Sequence, residues 1–432
     1  MRLELASFPV KDVQFSTRTS YKSGVLEIDK DEIVRLVLED KKVESADLDV
    51  AFPGEQTRIV NVTDTVEPRV KVSGRGCVFP GIMGPIETVG EGRTHRLSGL
   101  VLMSSAQFPL TVPPGTGAAR FSIVDMWGPA AQWGPFGSTT NLVLITKLVD
   151  DVIESEASTI IRLAELKVAR RLAETVKEGI PESVEVFEQG EVAPSLPKIV
   201  YIMGAVTVVG DPYPMVTFYG EPLQESLPTL IHPNELLDGV LVADARRGCQ
   251  GNPSTWEWMN SALVFRLLRE HGKRLNFLGV ILQRLRFTSE RGKLTAAACS
   301  AQIARLLGAD GAIVTTDSPS GNAFMDFMFT VSACERNGIK TVVVTPEWGQ
   351  TETEIPLPLY VEEATAMVST GAFLQQLKLS APSRVIGVSK GQLVRAREGP
   401  WVNPWEELTI IPMTQASGAD YHGYTRHTCS EY

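Results

Sequence analysis

The pattern of apolar and polar positions changes along the chain. In the first third, short apolar runs are separated by Gly and Pro, a pattern typical of strands joined by turns. Strands are predicted at 25–28, 46–50, 58–62, 69–72, 97–103, 121–126 and 142–148, and a short helix at 30–38. We therefore interpret residues 1–150 as a β-rich, glycine-rich domain.

Helical periodicity follows this first part. Apolar residues recur every three or four positions between 151 and 178, with charged residues opposite, which predicts a long helix. The next segment, 179–197, is acidic and contains proline, a composition typical of a surface connection. We interpret 151–197 as a long helix and an acidic linker between two domains.

Beyond residue 198, strand-like and helix-like segments alternate. Strands are predicted at 199–203, 239–242, 277–282, 312–316 and 341–345, and helices at 256–271, 294–307 and 323–337. This alternation favours a parallel sheet with helices on both faces. The predicted fold class is α/β overall, with a mostly β N-terminal domain and a doubly wound, mainly parallel α/β domain over 198–432.

Composition narrows the functional classes. With 41 basic and 51 acidic residues the net charge is 41 − 51 = −10, which argues against nucleic acid as a partner. No apolar run approaches the ~18 residues that span a bilayer, and the start of the chain has no signal-type apolar segment, so we expect a cytoplasmic protein without membrane contact. Five scattered cysteines without a CxxC pair predict reduced thiols.

Glycines are concentrated just before the most promising histidine. Residues 74–92 contain six glycines, which predicts turns at a sheet edge or close backbone approach. Directly after this segment, Arg93 and His95 place a cation and a base near each other. His95 is therefore a candidate catalytic residue and Arg93 a candidate substrate ligand.

Ligands of parallel sheets bind beyond the carboxyl ends of the strands, so the loops after 242, 282, 316 and 345 are searched for chemistry. After 312–316, Ser320, Gly321 and Asn322 lead into a helix, where they either cap it or bind an anion. Neither GxGxxG after a strand nor GxxxxGK[ST] occurs, so NAD and P-loop nucleotides are not expected.

The loop after 239–242 combines two cations with a thiol. Arg246 and Arg247 would lower the pKa of the Cys249 thiol if the side chains converge, and their forked guanidinium groups suit a carboxylate. A thiol preceded by Gly248 also suits a backbone N-to-S acyl shift followed by β-elimination, which leaves a pyruvoyl group. The alternative is a small side chain packed under the loop.

Two further roles were considered for the remaining histidines, cysteines and tryptophans: metal binding and contact with another chain. HExxH is absent, and His422, His427 and Cys429 lie near the end of the chain, where a mobile terminus is expected, so no metal is predicted. Tryptophans in two loops, at 127, 133, 256 and 258, favour contacts with another chain.

Several spaced motifs together resemble component B of the glycine, sarcosine and betaine reductases, specifically the proprotein that is cleaved into α and β subunits. The resemblance extends to about residue 344. It rests on EPRVKV at 67–72, FPG at 79–81, GEGRTH at 90–95, DM at 125–126, GP at 128–129, PF at 135–136, NLVL at 141–144, HGK at 271–273, LNF at 275–277 and LGADGAIV at 307–314.

The resemblance implies a pyruvoyl group, formed by internal cleavage, whose carbonyl forms a Schiff base with a substrate amine and acts as an electron sink. A selenocysteine- or cysteine-bearing component B subunit is the implied partner, in a hetero-oligomer that acts on a small amine or amino acid. The register at which the family has Asn-Cys falls here at Ala245-Arg246, and the nearest thiol is Cys249.

Three hypotheses follow. In the first, the chain is a subunit of a reductase-type complex that cleaves the C–N or a related bond of glycine, sarcosine, betaine or a similar compound, with Cys249 as the pyruvoyl precursor. In the second, the chain stays uncleaved and binds substrate while the thiol or selenol of its partner performs the chemistry. In the third, it is an independent cysteine-dependent lyase or hydrolase.

Overall fold

The computed structural model describes residues 1–107, 122–190, 193–206, 216–223, 226–244, 252–285, 289–318, 321–349, 357, 359–372, 374–395 and 401–423. Its helices are α1 Lys30–Val37, α2 Glu154–Glu174, α3 Pro233–Leu237, α4 Thr255–Met259, α5 Ala262–Glu270, α6 Glu290–Leu306 and α7 Gly321–Arg336. No helix among these described residues is long and apolar enough to cross a membrane.

The first half of the chain contains most of the strands. They are β1 Arg2–Pro9, β2 Asp12–Ser16, β3 Ser20–Lys22, β4 Val25–Asp29, β5 Val43–Ala51, β6 Thr57–Ile59, β7 Val62–Val66, β8 Arg69–Ser73, β9 Gly92–Ser98, β10 Leu100–Gln107, β11 Val124–Asp125, β12 Thr140–Leu148 and β13 Ser183–Glu188.

Further strands follow in the second half. They are β14 Lys198–Val206, β15 Val216–Phe218, β16 Glu221–Pro222, β17 Thr229–Ile231, β18 Leu241–Ala243, β19 Asn276–Leu285, β20 Gly311–Thr316, β21 Lys340–Glu347, β22 Met367–Ala372, β23 Leu377–Leu379, β24 Arg384–Ile386, β25 Val394–Arg395, β26 Trp401–Val402 and β27 Leu408–Ile410.

Helix α2 packs against two four-stranded sheets of the first half. One sheet has the order β13-β1-β9-β8 and the other β5-β12-β10-β7, and α2 contacts strands of both. Apolar residues of α2, such as Ile161 and Leu172, are fully buried in the same cluster as Leu100 and Leu144 of the second sheet. The helix is therefore enclosed on more than one side.

The second half is built on a six-stranded sheet with the order β17-β19-β14-β20-β21-β22. All neighbours are parallel except the edge strand β17, which runs antiparallel to β19. Tyr201 and Met203 of β14 pack with residues of α5, whereas Val200 and Ile202 pack with residues of α6 and α7. The predicted mixed α/β class is confirmed.

Three predicted elements are each divided in two, and the strand predicted at 239–242 is not part of the parallel sheet, because β18 pairs antiparallel with β15 in a separate three-stranded sheet. The single strand at 97–103 is two strands, because Gly99 adopts φ +80° and ends β9 before β10 begins. The strand at 58–62 is split at Asn61, with φ +54°, into β6 and β7. The helix at 256–271 is α4 followed by α5, because Ser261 begins a new helix with its side chain accepting from the Val264 amide.

Late segments of the chain return to the first half. Strand β13 pairs antiparallel with β1, and β24 pairs parallel with β6. Arg58 on β6 pairs through Nε and Nη2 with the two carboxylate oxygens of Asp125, at 2.7 and 2.9 Å. It also donates to three backbone carbonyls, each at 2.9 Å, at Ser380, Pro404 and Glu406. The domain boundaries at 150 and 197 stay a prediction.

A candidate active site on helix α2

The glycine-rich motifs join the two halves of the chain. Asp238, directly after α3, accepts hydrogen bonds from the Gly90 amide at 2.9 Å and the Thr94 hydroxyl at 2.6 Å, and it pairs with Lys71. Arg69 contacts Glu67 at 2.7 Å and the Asn260 side chain at 2.6 Å. These motif residues are buried and hydrogen-bonded to each other, so their contacts are structural.

Arg93 and His95 lie two residues apart on β9, on the same face of the strand, but differ in burial. His95 is 2% exposed, donates from Nδ1 to the Val176 carbonyl at 2.8 Å and lies against the Phe8 ring. Burial lowers the pKa of His95, so the imidazole is neutral at pH 7. Arg93, partly exposed, donates from Nε to Glu4 at 2.8 Å. No hydrogen bond among the described residues joins the two side chains, although the nearby Arg93 charge also lowers the pKa of His95.

The other predicted ligands are only partly described. Arg246, Arg247, Cys249 and Ser320 lie outside the described residues, whereas Gly321 and Asn322 begin α7. Both oxygens of Asn322 accept from the buried Lys293 ammonium, which also pairs with Asp326 at 2.6 Å. The amide oxygen of Asn322 is therefore used within the protein, and anion binding at this helix start stays a prediction.

Both flanks of segment 245–251 lie in buried polar surroundings. On one side, Asp244 is 6% exposed and accepts from the Ser158 hydroxyl of α2 at 2.6 Å. On the other side, Thr255 begins α4 and donates to Asp64 twice, from its amide at 2.9 Å and its hydroxyl at 2.6 Å. The Ala243 amide donates to the same hydroxyl at 2.9 Å, so Thr255 links the two flanks.

Three polar residues of α2 face this region. Ser158, Arg162 and Glu165 follow one another at spacings of four and three residues, which places them on one side of the helix. Asp64 on β7 is directly opposite Ser104 on β10, at a register shift in that strand pair. Such bulges are frequent beside active sites. We define the α2 polar cluster as Asp64, Ser104, Ser158, Arg162, Glu165, Asp244 and Thr255.

Two members of the α2 polar cluster have polar atoms without partners. Glu165 is 0% exposed, and neither of its carboxyl oxygens has a hydrogen bond of good geometry among the described residues. Nε and Nη1 of Arg162 are likewise buried without an acceptor in that part of the chain. Because most buried polar atoms of proteins are satisfied, these exceptions mark the cluster as a functional candidate.

Burial sets the charges in the cluster. It raises the pKa of Asp64 to about 6, although the hydrogen bonds from Thr255 oppose this. It raises the pKa of Glu165 well above its usual range, with a further contribution from the nearby Asp64 charge, which favours the neutral carboxyl. Burial lowers the pKa of Arg162, against the opposing charges of Asp244 and Asp64, and the guanidinium stays protonated.

A second buried polar group lies at the carboxyl edge of the β14/β20 pair. The Tyr201 hydroxyl is 2.9 Å from the Thr315 hydroxyl, and Asp317 accepts from the Val206 amide at 2.7 Å. Nearby in this region, His422 is 1% exposed and its Nδ1 lies 3.5 Å from the Tyr201 hydroxyl. The expectation of a mobile terminus was therefore wrong at His422. Burial lowers its pKa to about 4.

Helix α4 connects the two polar regions. Its residue Glu257 accepts from the Ser254 amide at 2.7 Å and from the Ser417 hydroxyl at 2.6 Å. Burial raises the pKa of Glu257 to about 8, against those hydrogen bonds. In the described chain, no group of three or more His, Cys, Asp or Glu residues could hold a metal ion.

Two of the loop tryptophans do not form an outer surface. Trp133 and Trp258 are 9% and 2% exposed and pack inside this chain, so for them the expected contact with another chain was wrong. Sequence reasoning missed Asp64, Arg162 and Glu165. The available signal was the spacing of polar residues at 158, 162 and 165 within an otherwise amphipathic helix.

Fold and site together define a mixed α/β protein with a buried, charged cluster that includes Asp244 and Thr255, on the two flanks of segment 245–251. Residues 1–429 match the family of glycine/sarcosine/betaine reductase component B subunits, and the chain belongs to this family. No solved structure matches the chain.

Curated relatives match along almost their full length. The α subunit of component B of the betaine reductase complex of Peptoclostridium acidaminophilum is 33% identical over 412 residues, which cover 93% of this chain and 91% of the relative. The component B subunits α and β of the glycine reductase complex of Acetoanaerobium sticklandii are 33% identical over 405 residues, 90% of each chain. The α subunit of component B of the sarcosine reductase complex of Peptoclostridium acidaminophilum is 31% identical over 401 residues, again 90% of each.

Proposed function

We propose that this chain is the substrate-binding subunit of a reductase-type complex that cleaves the C–N bond of glycine, sarcosine, betaine or a similar small amino acid derivative. The observation that carries the proposal is the α2 polar cluster, whose members Asp244 and Thr255 flank segment 245–251. Family membership supplies the reaction class, because the relatives are named as subunits of reductase complexes acting on these compounds.

Internal cleavage between Gly248 and Cys249 is the source of the reactive group in this proposal. Asp244 is tied to Ser158, and Thr255 to Asp64, so the chain is anchored on both sides of Cys249, as a self-cleaving segment requires. A pyruvoyl carbonyl there would supply an electrophile for the amine of glycine or sarcosine, whereas the quaternary nitrogen of betaine has no N–H and cannot form a Schiff base. The surrounding residues would orient the substrate and exclude water.

A second candidate is an uncleaved subunit that binds the substrate for its partner. The feature in its favour is the loop register, since Ala245-Arg246 stands where the family has Asn-Cys. The α2 polar cluster serves this candidate equally, because it binds a substrate without needing a carbonyl.

The remaining features of the proposal concern partner and architecture. We place the chain in a cytoplasmic hetero-oligomer with a selenocysteine- or cysteine-bearing component B subunit. We also infer that the second half is doubly wound, which is supported by the packing of α5 on one face of β14 and of α6 and α7 on the other. The carboxyl edge of this sheet carries Tyr201, Thr315 and Asp317, whereas β18, which leads to segment 245–251, belongs to a separate three-stranded sheet.

The test is the intact mass of the protein under denaturing conditions, with a carbonyl-reactive hydrazide added. We expect two fragments meeting at Gly248/Cys249, the second modified by the hydrazide, and release of an amine when the partner subunit and a thiol reductant are supplied. A single unmodified species near 47.1 kDa in the active complex would replace the first candidate by the second. No amine release from any of the three substrates would contradict both.

Cleavage needs its own control. A Cys249→Ala protein should stay in one piece, whereas Cys77→Ala, at a partly buried thiol elsewhere, should be cleaved like the wild type. Two fragments from the Cys249→Ala protein would remove Cys249 from this role.

A further inference from the structure

We propose that Asp64 and Thr255 are positioning residues for the internal cleavage of segment 245–251, because they hold the two flanks of this segment together. The cleavage itself rests on the proposed function. The contacts that hold the flanks are made by described residues alone. We define the Thr255 clamp as Asp64, Ala243 and Thr255.

A single side chain of the clamp contacts both flanks. The Thr255 hydroxyl accepts a hydrogen bond from the Ala243 amide at 2.9 Å and donates one to Asp64 at 2.6 Å. Ala243 ends β18 before the segment, and Thr255 begins α4 after it. Asp64 and Thr255 are 1% and 0% exposed, so bulk water does not compete for these bonds.

The two bonds fix the direction of the Thr255 hydroxyl. A hydroxyl has one hydrogen to donate and lone pairs with which it accepts. The Ala243 amide takes a lone pair, and the single hydrogen points to Oδ2 of Asp64. The Thr255 amide donates to the other carboxylate oxygen, Oδ1, at 2.9 Å. Both oxygens of Asp64 therefore hold the same residue.

Asp64 is held in place and is a charged acceptor. It lies on β7, and its Oδ1 also accepts from the Thr65 amide at 2.8 Å. Burial raises its pKa to about 6, against the hydrogen bonds from Thr255 and Thr65 and the charge of Arg162. The carboxylate therefore predominates at pH 7, and a hydrogen bond to an ionised acceptor is stronger than one between neutral groups.

The cleavage depends on a close approach of two groups within the segment. The Cys249 sulfur adds to the Gly248 carbonyl carbon, the C–N bond between these residues breaks, and the thiol proton passes to the nitrogen. Elimination then removes the Cα proton of Cys249 and breaks its Cβ–S bond, which leaves a thiocarboxylic acid on Gly248. One water molecule hydrolyses the remaining enamine to a pyruvoyl group and ammonia.

The first of these steps is sensitive to geometry, because reacting atoms must be held about 3–3.5 Å apart in the correct direction. Gly248 and Cys249 lie between Ala243 and Thr255 in the chain. A hydrogen bond that fixes the ends of a loop reduces the number of conformations that the loop can adopt. Loss of the clamp should therefore slow cleavage although the reacting residues are unchanged.

Time courses of cleavage during cell-free synthesis of the full chain test the clamp. Samples are quenched in denaturant, and intact masses separate the 47.1 kDa chain from its fragments. We expect Thr255→Val, which keeps the shape and removes the hydroxyl, to slow cleavage about 10-fold to 100-fold. Thr255→Ser keeps the hydroxyl and should cleave at close to the wild-type rate.

Asp64→Asn is the second variant. Its carbonyl oxygen can replace Oδ1, whereas its amino group stands where Oδ2 accepted, so the Thr255 hydroxyl loses its acceptor. We expect cleavage slower than in the wild type and faster than in Thr255→Val, since the Thr255 hydroxyl still contacts the Ala243 amide. This variant keeps the test usable if Thr255→Val does not fold.

Thr217→Val is the matched control. Thr217 is 1% exposed, and its hydroxyl donates to the Val242 carbonyl of β18 at 3.4 Å, so this variant loses a buried hydroxyl at the same strand without touching the clamp. Arg170→Gln, at an exposed pair with Glu174 on α2, controls for a surface substitution. Both should cleave like the wild type. Circular dichroism checks the folding of every variant.

Trypsin gives a readout that does not need self-cleavage. It cuts after Arg246 and Arg247, which lie between Ala243 and Thr255, and the Cys249→Ala chain is used because it should stay whole. In brief digestion, adding Thr255→Val should raise the rate of these cuts about 3-fold to 10-fold, as expected for loss of one hydrogen bond that restrains local opening. Adding Thr217→Val should leave the rate unchanged.

Three results would overturn the positioning role: wild-type cleavage in Thr255→Val, equal slowing in Thr255→Val and Thr255→Ser, or tryptic cuts at equal rates, including none, in the Thr255→Val and Thr217→Val chains. The proposed cleavage fails separately. If the tryptic rates differ as predicted and the wild type does not cleave itself, the clamp stands and the cleavage does not. If the wild type and Thr255→Val cleave themselves equally fast, the cleavage stands and the role of the clamp does not.

Discussion

Two buried arginines of this chain differ in how many hydrogen-bond partners their guanidinium groups have. Arg58 is 0% exposed, and five hydrogen bonds occupy its guanidinium. Arg162 carries the same charge into a partly buried position with Nε and Nη1 unpaired in the described chain. Desolvating a charge is costly unless it is paired, so the second arrangement is maintained at the expense of stability. Arg58 therefore holds the fold together, whereas under the proposed function the unpaired donors of Arg162 are available to a ligand.

The positions of the two residues agree with this difference. Arg58 connects β6 to backbone carbonyls of residues 380–406, which closes the late segments onto the first half. Arg162 lies in the α2 polar cluster, beside the residue that leads into segment 245–251. One site joins distant parts of the chain, and the other lines the candidate site.

The largest loss of folding stability is expected when Arg58 is replaced. Arg58→Ala leaves the buried Asp125 carboxyl without its partner and frees three carbonyls, so the free energy of unfolding should fall by about 3–5 kcal/mol. Urea unfolding followed by circular dichroism measures it. Lys147→Ala, at an exposed pair with Glu44, is the control and should cost no more than about 1 kcal/mol. Equal losses in both variants would refute the structural role of Arg58.

The second largest loss of folding stability is expected when Asp238 is replaced. Asp238→Ala leaves the Lys71 ammonium buried without its partner and unpairs the Gly90 amide and the Thr94 hydroxyl, which should cost about 2–4 kcal/mol. The same unfolding measurement applies. A loss below about 1 kcal/mol would mean that the glycine-rich motifs contribute little to joining the two halves.

Glu257 should give a pH-dependent effect of intermediate size. Burial raises its folded pKa from 4.5 to about 8, so its contribution to stability is full below about pH 4.5 and is lost as the pH rises toward 8. Glu257→Gln keeps the capping interaction at the start of α4 and cannot ionise. The unfolding free energy of the variant relative to the wild type should therefore rise between pH 4.5 and 8, by roughly 2–4 kcal/mol. A difference that does not change with pH would contradict a protonated Glu257.

The smallest stability effect is expected at Arg162. Arg162→Gln removes a desolvated charge and no hydrogen bond from Nε or Nη1, so the unfolding free energy should change by less than about 1 kcal/mol, in either direction. A loss as large as that of Arg58→Ala would show that Arg162 is a structural residue.

Prediction from sequence succeeded where the apolar pattern was continuous. The runs at 142–148, 312–316 and 323–337 correspond to β12, β20 and α7, because uninterrupted burial fixes both the type and the phase of an element. Prediction from sequence failed where a single residue with an unusual backbone conformation ends a strand. Gly99 and Asn61 adopt positive φ inside runs that read as single strands, and their conformation depends on the neighbouring sheets.

The site was harder to predict than the fold. The charged sequence neighbours of His95 favour a catalytic role, but in the folded protein His95 is buried against the Phe8 ring and the Val176 carbonyl. Arg162 was overlooked because a polar residue of an amphipathic helix is expected to face water. Helix α2 is enclosed by two sheets, so one of its polar sides points inward. The roles of Cys249, Arg246 and Arg247 stay predictions.

The most direct test of whether Arg162 binds a ligand is to measure how a ligand changes the free energy of unfolding. Urea unfolding of the wild type, Arg162→Gln and Arg170→Gln would be followed with and without low millimolar sarcosine, too dilute to act as a stabilising osmolyte. A ligand that binds only the folded state raises the unfolding free energy by an amount set by its concentration and Kd. We predict this increase in the wild type and in Arg170→Gln, and none in Arg162→Gln. The same increase in all three proteins would contradict the account.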